Sequence, residues 1–133
     1  MKKLFLIAIV ATLAGCQTQN NLFLGNTWKL VELNGKNIST ENVEVTLNFD
    51  LANKKVNGNG GCNRYFGSYQ LNGNSIEISN IGSTKMFCME TANIEDEFFN
   101  TLKDKSEIKV IGSQLTFSKE GKTVLIFQKG NKK

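Results

Sequence analysis

From Thr27 onward the chain alternates apolar and polar residues with a period of two, and turn-forming residues interrupt the alternation every few positions. This pattern constrains the fold more than any other feature, because a strand presents every second residue to a core whereas a helix repeats every 3.6. Trp28, Leu30 and Leu33 form a first run, out of step after Val31. Val43, Val45, Leu47 and Phe49 form a second, alternating with Glu44, Thr46 and Asn48. Phe66, Tyr69 and Leu71 suggest a third, Ile76 and Ile78 a fourth, and Ile108 and Val110 a fifth. Leu115 and Phe117 make a sixth, joined through Lys119-Glu120-Gly121-Lys122 to the apolar run Val124 to Phe127. The dipeptides Asn34-Gly35, Asn57-Gly58, Asn59-Gly60 and Asn72-Gly73 tolerate the positive φ of tight hairpins, so hairpins are the expected connections.

One stretch departs from this period. Ile94, Phe98 and Leu102 fall at i, i+4 and i+8, with Glu95, Asp96 and Glu97 before them and Lys103 and Lys105 after. The spacing predicts an amphipathic helix of about 12 residues, its charges arranged to suit the macrodipole and its acidic start facing solvent. The expected fold is therefore mainly β (α+β): an antiparallel, strongly twisted, barrel-like sheet with one amphipathic helix packed on it. With 133 residues, 40% of them hydrophobic, the chain fits one such domain, placed at 26–129.

Charge and residue inventory narrow the function. The formal net charge is +4, but Lys2, Lys3, Lys129, Lys132 and Lys133 sit at the two ends, the last two in a basic tail at 130–133. The body is close to neutral, so no nucleic-acid partner is expected. There is no His, which removes the usual general base, the commonest metal ligand and the His-activated nucleophile pairs. No catalytic residue, metal site or cofactor is expected.

The first sixteen residues combine Met1-Lys2-Lys3, an apolar run from Leu4 to Thr12, and Leu13-Ala14-Gly15-Cys16. A basic start, a short apolar stretch and a small-residue cleavage site read as a bacterial secretory signal over 1–15, because the run is too short to span a bilayer. Leu-Ala-Gly-Cys also resembles a lipobox, which implies that Cys16 becomes the acylated first residue of the mature chain, followed by a tether over 16–25. Several acyl chains make membrane attachment stable. Gln17, rather than Asp, follows the Cys; under the sorting rule of enteric lipoproteins this implies the outer membrane, facing the periplasm.

The segment Gly61-Cys62-Asn63 followed by Gly67-x-Tyr69, then Thr84-x-Met86-x-Cys88 before the acidic helix, resembles the META domain family, which includes the heat-inducible HslJ-like lipoproteins. Trp28 near the start and Leu115-Thr116-Phe117 near the end extend the resemblance over the whole mature domain. Phe87 stands where a small residue is common, and the repeated Asn-Gly lengthens the lead-in. The resemblance implies an envelope protein tied to heat, drug or virulence-related stress, with no associated reaction. It also implies a barrel-like fold likened to that of pilot lipoproteins. Trp28, Gly61, Asn63, Gly67, Tyr69, Thr84 and Met86 are the family-motif residues, read as structural.

Cys62 and Cys88 are the thiols left once Cys16 is acylated, and an even pair in an exported domain reads first as a disulfide; two free, buried thiols are the alternative. Gly58-x-Gly60-Gly61 lacks the Lys-Ser/Thr of a phosphate loop and reads as a turn or bulge beside Cys62. Asn63 is expected to hydrogen-bond a neighbouring turn. Arg64, Tyr65 and Phe66 are the candidate partner contact, combining charge with aromatic groups. The expected protein is a monomer bound to the membrane by its lipid, with an envelope protein or peptide client as partner. The function this suggests is non-catalytic support of envelope stress tolerance; the alternatives are a chaperone or pilot-like module capturing a client peptide, and a protease-inhibitor-like binder.

Overall fold

A computed structural model describes residues 25–38 and 43–130. Cys16, the expected signal segment, most of the tether and residues 131–133 lie outside the described residues.

The alternating runs become strands of one antiparallel sheet. They are β1 (Trp28–Leu33), β2 (Lys36–Asn37), β3 (Thr46–Asp50), β4 (Lys55–Asn59), β5 (Arg64–Asn72), β6 (Ser75–Ser83), β7 (Asp104–Ile111), β8 (Gln114–Lys119) and β9 (Lys122–Lys129), with α1 (Ala92–Leu102) between β6 and β7. Apart from the small β1–β2 hairpin, each strand pairs with the next in the ring, and β1 closes it by pairing with β9 along its whole length. The other side of β1 meets β3 at its start and β2 at its end. Eight strands enclose an interior just wide enough for side chains to fill. Val45, Leu47, Val56, Ile76, Leu115, Phe117, Leu125 and Phe127 are there, fully buried.

The break in the first run after Val31 has a physical cause. Leu30 faces Phe127 but Glu32 faces Ile126, so Val31 is an extra residue in a β-bulge that returns Leu33 to the inside. Asn34 and Gly35 both take positive φ (48° and 81°), the geometry of a two-residue hairpin with the primed turn.

Three expectations need correction. Asn57-Gly58 and Asn59-Gly60 do not make hairpin turns: residues 57–59 lie within β4, and a Cβ on Gly58 would collide with the Thr46 carbonyl of β3. Glycine here permits close backbone approach. Phe66 does not share a face with Tyr69 and Leu71, because β5 buries Tyr65, Gly67 and Tyr69 and turns Phe66 outward over Gly82 of β6. Lys103 and Lys105 do not supply the last helical turn, since Lys103 is the cap and Lys105 is in β7. A cation from β8 reaches that terminus as well: Lys119 Nζ donates to the Lys103 carbonyl at 2.8 Å.

The helix closes one end of the barrel. Phe98 and Leu102 are fully buried, and Phe98 meets Tyr65 of β5 at 5.6 Å and Phe127 of β9 at 6.4 Å between ring centroids. Asn34 in the β1–β2 turn donates to Glu97 Oε1 (2.9 Å), tying the hairpin to the same helix. The β5–β6 turn at Gly73, the β7–β8 turn at Gly112 and the contact of Gly130 N–H with Thr27 O (2.7 Å) lie at the opposite end.

Candidate functional site

At the helix-covered end two excursions of the chain come together, one between β4 and β5 and one between β6 and α1, and each gives up ladder hydrogen bonds. Side chains replace them. Glu95, one turn into α1, is 7% exposed, and its carboxylate accepts three bonds. Cys62 N–H and Asn63 N–H donate to Oε2 at 2.9 and 2.6 Å, and Asn63 Nδ2 donates to Oε1 at 2.7 Å. Gly60 packs so closely under the helix that a Cβ there would enter the Phe99 ring and the Glu95 carboxylate. Gly61 takes φ +119°, a conformation that L side chains rarely adopt.

Asn63 then joins the two excursions. Its Nδ2 donates to Met86 O (3.0 Å), while its Oδ1 accepts from Met86 N–H (2.8 Å) and from Thr84 Oγ1 (2.9 Å). The amide thus grips the backbone of Met86 on both sides, as a neighbouring strand would. Two residues on, Cys88 is bridged to Cys62 with Cα atoms 5.8 Å apart, inside the range a disulfide needs. The Cys88 carbonyl accepts from Ala92 N–H at 3.0 Å and so starts the helix.

Of the family-motif residues, Gly61, Asn63, Thr84 and Met86 meet here with the two cysteines. Trp28, Gly67 and Tyr69 are buried in the barrel wall instead. Tyr65 is corrected as a contact residue: it is 3% exposed and donates its hydroxyl to Thr46 O at 2.7 Å, so it belongs to the core. Arg64 and Phe66 remain on the surface. Asn63 serves more than a neighbouring turn, since its partners lie 21 to 32 residues away.

Glu95 is the residue that sequence reasoning missed. Read with Asp96 and Glu97 it resembled a solvated helix start, yet it lies three and seven residues before Phe98 and Leu102, on the apolar stripe. A carboxylate on that stripe, facing a Gly-Cys-Asn turn, was the available signal.

The polar atoms of this knot are spent on one another, and between the exposed Lys85 and Glu90 the braced segment turns three large apolar side chains outward. Met86, Phe87 and Met89 are 65%, 81% and 84% exposed. Their backbone is held by Asn63 and the disulfide while their side chains meet solvent.

A ring of eight antiparallel strands plugged by one helix, with a carboxylate and an amide bracing a disulfide-tied loop, defines a small filled-barrel domain. A META domain model matches residues 20–132, and the chain belongs to the META domain family. Among solved structures, the NMR structure of a protein from Burkholderia xenovorans is similar, with a TM-score of 0.68 at 22% identity over 84% of this chain and 86% of that one. A second protein solved by NMR matches with a TM-score of 0.64 at 19% identity, over 80% of this chain and 90% of that one. The structural likeness shows a shared fold, and at these identities the fold alone. No curated protein gave a significant match.

Proposed function

We propose that this META domain is a lipid-anchored protein of the bacterial envelope that acts by contact rather than catalysis, in support of stress tolerance. The observation that carries the reading is Leu13-Ala14-Gly15-Cys16 at the end of a basic and then apolar start, which would leave Cys16 acylated and joined by a short tether to the barrel. Gln17 favours the outer membrane. The filled interior favours a role for the exterior, where Met86, Phe87 and Met89 offer apolar contact area beside Arg64 and Phe66. Capture of a client by strand addition has less support, because ring closure pairs each long strand on both sides over part of its length and leaves only short edges, such as β2 and residues 79–83 of β6.

The test is Cys16→Ser in the native host. Wild-type protein is expected in the membrane fraction after a high-salt wash, and the variant in the soluble fraction. A variant that stays with the membrane overturns the anchoring.

A further inference from the structure

The chain contains three methionines. One is Met1; the other two, Met86 and Met89, sit in the same exposed loop. The two cysteines beside them are already bridged, so Met86 and Met89 carry the reduced sulfurs among the described residues. From this placement we infer that they form an oxidant-reactive site, each taking one oxygen atom from a peroxide while the protein stays folded.

With hydrogen peroxide, a sulfur lone pair attacks one peroxide oxygen. The S–O bond forms as the O–O bond breaks, the thioether is oxidised by two electrons, and the departing hydroxide takes the proton carried by the transferred oxygen and leaves as water. One peroxide is consumed per sulfoxide formed. Most of both side chains is already in solvent, so an oxidant reaches them without any opening of the fold.

The brace behind the loop makes the reaction tolerable. Asn63 holds Met86 through its backbone N–H and C=O rather than through its thioether, and the disulfide holds the chain two residues later. Oxidation therefore changes the surface and leaves the attachments in place. Two flexible apolar side chains become polar, and Phe87 loses the apolar neighbours on either side of it. This inference is independent of lipid anchoring, since it rests on the folded domain alone.

The test exposes the purified full chain to hydrogen peroxide and follows oxygen uptake by peptide mapping, which reads Met1 apart from Met86 and Met89. Both loop methionines are expected to react within about threefold of the rate of free methionine, as exposure governs susceptibility. The Tm of the oxidised protein is expected to stay within about 2 °C of the untreated value, in the range of neutral surface changes. A rate more than about tenfold slower at either position would overturn the inference, since exposed thioethers should not be shielded. Rapid uptake with loss of the folding transition would overturn it equally. The Met86→Leu, Met89→Leu protein, which keeps the loop apolar, controls for reaction elsewhere: uptake in its folded domain at the wild-type rate also sinks the assignment.

Discussion

The barrel wall and the helix-covered end are stabilised by different means. In the wall, apolar side chains fill the interior and the backbone satisfies itself strand against strand. At the end, two excursions of the chain have no strand beside them, and a buried carboxylate and amide take the place of the missing ladder. The wall uses many interchangeable contacts, so its cost of error is spread out. The knot uses few groups, each serving several partners, so one change there strands several backbone donors at once.

The sharpest way to break this comparison is at Glu95. Glu95→Ala removes the acceptor of three hydrogen bonds; Asn63 Nδ2 keeps Met86 O, but the Cys62 and Asn63 N–H groups lose their partner, and a loss of about 4 kcal/mol is expected from such a deficit. That rivals the loss of about 3–5 kcal/mol expected for Phe98→Ala in the barrel mouth. Denaturant unfolding of both variants decides it; a loss below about 1 kcal/mol for Glu95→Ala would mean the carboxylate is a passenger.

Next in size is the bridge. The Cys62–Cys88 disulfide closes a loop with a sequence separation of 26, for which the chain-entropy account gives about 3.5 kcal/mol. Urea unfolding with and without reductant is expected to show that loss. Its effect should be smaller in the Asn63→Ala background, because a loop already loosened from its amide clamp gains less from the second tie. Strictly additive losses would show that the two ties act separately.

The smallest effect is confined to alkaline solution and concerns the wall. Burial pushes the phenol of Tyr65 well above its ordinary value. Burial, and then the charge of Asp50, raises that of Tyr69. In the unfolded chain both ionise near pH 10 or so. The folded protein keeps protons that the unfolded chain releases, so stability is complete below about pH 10 and falls as the pH rises beyond it. These are the two tyrosines of the chain, so phenolate absorbance reads them directly. Phenolate is expected to appear only with unfolding for Tyr65; a folded protein showing two ordinary titrations would contradict its burial.

Most of the wall was legible because alternation and burial are the same fact stated twice. Val45, Leu47 and Phe49 could be read as inward residues, although β3 starts only at Thr46, itself buried, with Val45 held by a single bridge to Gly60; even the slip after Val31 announced its bulge. β4 was not legible. Its Asn57-Gly58-Asn59 carries turn composition, only Val56 of the strand is fully buried, and the glycine answers to the backbone of the neighbouring strand β3 rather than to a turn. Tyr65 and Phe66 show the limit of reading aromatic residues by type: on a pleated strand neighbours face opposite ways, and composition does not say which faces in. The pairing of Cys62 with Cys88 could be anticipated from their number, whereas the role of Asn63 required knowing that residue 86 returns beside residue 63.

The first and last strands of the ring are partners, with Trp28 opposite Lys129 and Leu33 opposite Leu125. Every other junction of the wall joins strands closer in sequence, and several, such as β5–β6 and β8–β9, are simple hairpins. Ring closure must therefore wait for the most distant pairing in the molecule, which carries the largest entropic cost of loop closure. Local hairpins can form early, but the interior stays unsealed until residues 122–129 are available. An order of assembly is thus written into the connectivity: β9 has to be made before the core can be shut.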